Sequence, residues 1–150
     1  MTFVAFSIVR ASALNRIQPV QYNAIQSGNG GNQQTVTTTE TDSLGCSVTF
    51  TTATPAICTA IMFCDLEVQA TGSTVFQGRL NIDTVTVTTK EVHLNGASLL
   101  RMTPGQSVDF TLSGAGTHTV KLRFLKTAAA ATIVTDDQHT GFTLNVREIV

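Results

Sequence analysis

Along most of the chain, apolar residues fall at every second position and Thr, Ser or charged residues fill the places between. The stretches Cys46-Ser47-Val48-Thr49-Phe50-Thr51, Thr84-Val85-Thr86-Val87-Thr88 and His118-Thr119-Val120-Lys121-Leu122-Arg123-Phe124 show it most clearly. A period of two sets a dry face against a wet one, which is the signature of a half-buried strand. Twenty-six of the 150 residues are threonine, whose β-branch suits a pleated surface and whose hydroxyl keeps an outer face hydrated. The pattern predicts strands over 46–52, 57–69, 74–82, 84–94, 98–101, 107–113, 117–126, 131–135 and 139–147. Residues 34–41 are polar on both faces and suit an exposed or edge strand. Asn95-Gly96, Pro104-Gly105 and Gly114-Ala115-Gly116 supply turns, and Ala70-Thr71-Gly72-Ser73 is expected to fold 57–69 and 74–82 into a hairpin. Apart from a possible single turn at Ala128 to Ala131, no segment has helical periodicity. Many short strands at this spacing predict an all-β chain built as a single antiparallel β-sandwich.

The N-terminal part stands apart. Ser27-Gly28-Asn29-Gly30-Gly31-Asn32 reads as a loop or hinge, so residues 27–33 separate residues 1–26 from a body spanning 34–150. Residues 3–9 and 14–22 read as short strands, and the segment is either an arm reaching outside the body or a set of added strands. Phe3 to Val9 is apolar, but Arg10 ends the run after seven residues and no Lys or Arg precedes it, so a strand is the better reading than a secretory signal.

Composition narrows the choice of partner. Charged residues make up 13% of the chain, about half the usual share of roughly 25%, and net charge is −1. Basic residues are scattered, so the clustered Lys and Arg that neutralise phosphates are missing and nucleic acid is not an expected partner. No stretch approaches the ~20 apolar residues of a helical membrane span. A low-charge, Thr-rich surface fits packing against neighbours in a large assembly. Cys46, Cys58 and Cys64 form an odd set without metal-ligand spacing. Cys58 and Cys64 share the parity of Met62 and Leu66, so buried free thiols are expected, with one disulfide or a reactive thiol as the alternative.

Candidate chemistry is sparse. His93, His118 and His139 lack chelating spacing. Asp136-Asp137-Gln138-His139 is the densest polar cluster; two neighbouring carboxylates are few for Ca²⁺, and a solvated turn is expected. Asp65 and Glu67 share a strand parity, and across the expected hairpin Arg79 is placed to pair with one of them. No nucleophile elbow, phosphate loop or dinucleotide fingerprint occurs. We expect no catalytic, cofactor-binding or metal-binding residues, and therefore no enzyme. With no Trp and only Tyr22, an aromatic platform for sugars is also weakly indicated.

The second half of the chain adds a resemblance. Phe76-Gln77-Gly78-Arg79-Leu80-Asn81-Ile82-Asp83 is followed by Pro104-Gly105-Gln106-Ser107-Val108-Asp109-Phe110, by Gly114-Ala115-Gly116-Thr117-His118-Thr119-Val120-Lys121-Leu122 and by Thr140-Gly141-Phe142-Thr143-Leu144-Asn145-Val146. This succession resembles the jelly-roll, tumour-necrosis-factor-like modules of tailed-phage virion proteins. The resemblance implies a jelly-roll sandwich, a homotrimer, and a capsid decoration protein that binds the major capsid protein in a virion assembled in the host cytoplasm. The absence of a stalk favours decoration over a fibre. The alternative is a tail- or fibre-associated module that binds host glycans; a bacterial surface adhesion module is a further possibility. Under the arm reading, Phe3, Phe6, Ile8, Arg10, Arg16, Ile17 and Tyr22 are the expected assembly contacts.

Overall fold

The computed structural model describes residues 17–27, 33–70, 72–95, 98–129, 131–136 and 139–149. Residues 1–16, most of the Gly/Asn-rich stretch and residues 137 and 138 lie outside them. The described residues form twelve strands: Val20–Ile25 (β1), Gln34–Thr35 (β2), Thr41–Thr52 (β3), Ala56–Phe63 (β4), Leu66–Ala70 (β5), Thr74–Ile82 (β6), Val85–Leu94 (β7), Ser98–Met102 (β8), Gly105–Leu112 (β9), Gly116–Lys126 (β10), Ala131–Thr135 (β11) and Gly141–Glu148 (β12). Every pairing is antiparallel.

The strands make three four-stranded ladders, ordered β1-β12-β4-β9, β2-β11-β5-β8 and β3-β10-β6-β7. The first two repeat one another, because β4 runs on into β5, β8 into β9 and β11 into β12. They are two halves of one sheet that bends at Cys64-Asp65, at Thr103-Pro104 and between β11 and β12. Counting each bent strand once, and β1 with β2 as the single edge beside β12 and β11, the two sheets read 1-8-3-6 and 2-7-4-5. That is the two-sheet arrangement of a jelly roll.

Three expectations change at the level of pairing. Residues 57–69 are not one strand, since the chain turns at Cys64-Asp65. There Cys64 donates its N–H to the Pro104 carbonyl and Asp65 donates its own to Thr140 Oγ1. Pro104 has no N–H to continue a ladder, which helps place the break. The hairpin between 57–69 and 74–82 does not form either. β5 pairs with β8 and β11, whereas β6 pairs with β7 and β10, so these consecutive strands belong to different sheets. A Gly-Ser turn marks where a chain reverses, but burial decides whether the next strand lies beside the last or faces it. Within 34–41 the stretch is not one strand: Gln34–Thr35 pairs with β11 and Thr41 opens β3, while Val36, nearly fully buried, donates its N–H to the Ile133 carbonyl and joins the core.

The inward residues of both sheets merge into one cluster, with Phe76, Phe124, Phe142, Met62, Leu66 and Leu80 among its largest fully buried side chains. Burial of each such side chain contributes about 1.5–3 kcal/mol. Phe76 and Phe124 meet with ring centroids 5.6 Å apart, and Tyr22 of β1 stacks on Phe50 of β3 at 5.3 Å, joining the two sheets. Gly78 leaves room for Cys64 to cross from the opposite sheet, since a Cβ there would stand 3.2 Å from the sulfur. Cys46, Cys58 and Cys64 are all buried and free of disulfides, Cys58 and Cys64 on the face their parity implies.

Candidate functional site

The two sheets turn unlike outer faces to solvent. On β4 the inward positions are the small Ala56, Cys58 and Ala60 with Met62, while the outward ones are Ile57, Thr59, Ile61 and Phe63. The register sets Ile61 beside Thr143 and Ser107, and Phe63 beside Gly141 and Gly105. Ile25 of β1 extends the row through Gly141. Ile61 and Ile25 are about half exposed, at 49% and 50%. Around Ile57 this face runs into a shallow depression formed with Ile17, Arg147, Glu148 and Ile149. Along the four strands of this half, Asp109 and Arg147 are the outward charges. A strand apolar on both faces is normally covered on both, and here one side is open.

Its opposite number, the outer face of β3-β10-β6-β7, is wet and densely hydrogen-bonded, although Asn81 Oδ1 is buried there without a partner among the described residues. Thr49 and Thr51 share hydroxyl hydrogen bonds with Thr119 and Thr117 at 2.9 and 3.1 Å. Below this threonine ladder, Lys121 Nζ and Arg123 Nε each donate to Asp42 at 2.8 Å, and Arg123 Nη1 donates to Glu40 at 2.8 Å. Arg79 reaches Gln77 at 2.6 Å, and Gln77 reaches Glu91 at 2.6 Å. The Lys121 hydrogen bond, opposed by partial burial and aided by Arg123, holds the Asp42 carboxyl below its usual range. At the β6–β7 turn Asp83 sits at φ 52°. It accepts from the Thr119 N–H at 2.8 Å and lies 3.1 Å from His118 Nδ1. Those two contacts, Thr119 first, lower its pKa as well.

Asp136 and His139 of the sequence's polar cluster meet Asp65 at the bend. Donor atoms of Asp65, Asp136 and His139 lie within 4.8 Å of one another. The space is filled by the protein's own cation, because Arg101 Nη2 donates to Asp65 Oδ2 at 2.6 Å and to Asp136 Oδ2 at 2.7 Å. This is an ion-pair staple. Arg79 does not join it: that residue lies on the other sheet and pairs with Glu40 at 3.5 Å. Glu67 of β5 accepts from Gln33 Nε2 at 3.2 Å, so Asp65 and Glu67 face separate partners. His93 lies on β7, remote in the fold from His118 on β10 and His139 beyond β11.

Of the residues expected to make assembly contacts, Phe3, Phe6, Ile8, Arg10 and Arg16 lie outside the described residues. Ile17 is 42% exposed and lines the apolar depression. Tyr22 is half-buried on Phe50 at the seam between the sheets. Sequence reasoning missed Ile57, Ile61 and Phe63. Their signal is the nearly unbroken apolar run from Ala56 to Cys64, of which alternation captures only one half.

Fold and surface together define a two-sheet jelly roll with one polar, hydrogen-bonded face and one open, charge-poor face. No protein-family model matches the sequence, and no curated protein matches it either. Among solved structures the chain is similar to one from infectious bursal disease virus strain Gx, at 9% identity and a TM-score of 0.42, covering 86% of this chain and 32% of that one. It is likewise similar to one from infectious bursal disease virus strain Gt, at 10% identity and a TM-score of 0.37, covering 88% of this chain and 38% of that one. The chain therefore spans about a third of the length of the chains it matches.

Proposed function

We propose that this protein is a non-enzymatic virion structural protein, and within that class a capsid decoration subunit that binds and stabilises a phage head. The observation that carries the reading is the open face of β1-β12-β4-β9, where Ile25, Ile57, Ile61 and Phe63 point outward among Thr, Ser and Asn, with Asp109 and Arg147 the outward charges of its four strands. Contiguous exposed apolar surface marks an interaction site, and a flat, charge-poor sheet suits permanent contact with a neighbouring subunit better than transient capture of a charged ligand. The jelly-roll topology and the resemblance of residues 76–146 to phage virion modules support the same reading.

Residues 1–16 join the body at Ile17, inside the depression that continues this face. We assign to them the arm role, a segment that adds its main chain and its Phe3, Phe6 and Ile8 side chains to a neighbouring copy or to the major capsid protein. Copies of the chain then pack as a homotrimer. The test uses heads lacking the protein, incubated with the full chain, with a chain lacking residues 1–16, and with Ile61→Glu. Binding by the full chain alone supports the proposal. Equal binding by all three removes both the face and the arm from it, and no binding by the full chain refutes the decoration role. Light scattering on the full chain reads the trimer directly.

A further inference from the structure

We propose that the groove at the β6–β7 turn binds a neutral sugar residue, independently of the assembly role. The groove measures about 290 Å³ and is lined by Asp42, Asn81, Asp83, Thr84, Lys121 and Arg123. It lies on the face opposite the apolar one, so both can be occupied at once.

Asn81 carries the argument. It sits on the outward parity of β6, with Lys121 and Thr86 as its cross-strand neighbours, yet only 6% of it is exposed. Its Oδ1 is buried and has no hydrogen-bond partner among the described residues. A buried, unpaired amide oxygen costs about 1–3 kcal/mol, and a donor arriving in the groove would remove that cost. The remaining groups restrict what the donor belongs to. Asp42 and Asp83 both have lowered pKa values and are ionised at neutral pH, so a free anion is repelled. Lys121 and Arg123 stand against them, so a metal cation is repelled too. Their charges cancel, two against two.

What fits such a lining is an uncharged group that donates and accepts at adjacent atoms. A vicinal diol does both: one hydroxyl gives its proton to Asn81 or Asp83 while accepting from Lys121, whose ammonium has donors beyond the one spent on Asp42. The frame is preorganised. Asp83 is held by the Thr119 N–H and by His118, and the two-residue β6–β7 turn places it beside Thr84. The groove has room for a single ring, at the low end of ligand-sized clefts. Without an aromatic floor the affinity is modest and rests on hydrogen bonds.

The experiment is an amide-shift titration of the full chain with glucose, galactose, mannose and N-acetylglucosamine, with galacturonate as the charged counterpart. Saturable shifts confined to Asn81, Asp83, Thr84 and Lys121 with at least one neutral sugar, and weaker binding of galacturonate, are expected. Asn81→Leu should weaken binding about tenfold, the scale of one lost hydrogen bond. Thr84→Val, a change on the exposed turn, should weaken it less without affecting the fold, and it carries the test if Asn81→Leu does not fold. Absence of saturable shifts, shifts centred elsewhere, or galacturonate binding as well as the neutral sugars would each overturn the proposal.

Discussion

Arg101 grips Asp65 with two nitrogens: Nε lies 3.2 Å from both carboxylate oxygens and Nη2 lies 2.6 Å from Oδ2. Asp65 is buried to 6% of its side chain while Arg101 remains 58% exposed. The pair therefore anchors a buried carboxylate from the solvent side, at the point where three strands bend together. Asp136 takes the remaining reach of Nη2, and its N–H donates to the Asp65 carbonyl. Removing the guanidinium leaves a buried charge without its partner, which is worse than removing both. Arg101→Leu should lower the thermal midpoint by several degrees. The double variant Asp65→Asn/Arg101→Leu should recover part of that loss, and a double-mutant cycle in urea reads the coupling. Additive losses would show that the pair does not hold the bend.

The three thiols predict a second, alkaline limit. Burial pushes Cys46 and Cys58 up to about 11, and Cys64 higher still. A group whose pKa rises on folding contributes stability that is complete below its ordinary value of 9.0 and is lost as pH climbs through the folded value. Stability should therefore decline between about pH 9 and 11. At neutral pH iodoacetamide should label none of the three until denaturant is added. Cys58 has no exposed surface. Cys58→Ala should cost about 1 kcal/mol, and Cys58→Ser more, because a buried hydroxyl without a partner adds its desolvation. Rapid native labelling of Cys58 would contradict the packing described.

Gly141 ties β1 to the bent sheet. A Cβ at that position would stand 2.9 Å from Ile25 Cα and closer still to the Ala24 carbonyl oxygen, both backbone groups that cannot swing away. Gly141→Ala should push β1 off β12 at a cost of about 1–3 kcal/mol, with faster amide exchange through Tyr22 and Ala24 while the opposite sheet keeps its protection. Gly72→Ala meets nothing within 4 Å and serves as the neutral control. Equal stability of the two variants would contradict this contact.

How much of this was legible beforehand follows from what alternation encodes. Period two located the inward residues of β10 and β12 and placed Cys58, Met62, Cys64 and Leu66 on one buried face. It is silent on pairing, so the 57–69 and 74–82 strands read as a hairpin although they face each other across the core. Nor does it show a bend, because Asp65 differs from an ordinary outward aspartate only through Arg101, thirty-six positions further on. Ile57 and Ile61 escape the pattern because the inward set of β4 satisfies the period by itself. Asn81 gave no signal at all: its burial is imposed by side chains on neighbouring strands.

At the acid end the relevant groups are Asp42 and Asp83, whose pKa values fall on folding through Lys121 and the Thr119 N–H respectively. The sign is opposite to that of the thiols. Stability from a depressed carboxyl is complete above its ordinary value of 3.8 and is lost as pH falls through the lower folded value. Urea unfolding at a series of pH values should show stability falling below about pH 4. Asp83→Asn should lower stability slightly at neutral pH and flatten that acid slope, since Asn tolerates the left-handed backbone of the turn. An unchanged slope would mean that Asp83 contributes nothing to the acid limit.

The open face makes the last prediction, because its energetics separate folding from assembly. Ile61 is 49% exposed and points away from the core, so Ile61→Glu should leave the isolated chain within about 0.5 kcal/mol of its original stability. In an assembled contact the same carboxylate is carried into an apolar interface with no cation on its own row, where its register neighbours are Thr143 and Ser107. Desolvation there costs several kcal/mol, enough to abolish self-association. Light scattering and urea unfolding on one sample distinguish the cases. A dissociated but equally stable variant marks this face as the interface. A variant that unfolds places Ile61 within the core, and one that stays associated moves the contact to another surface.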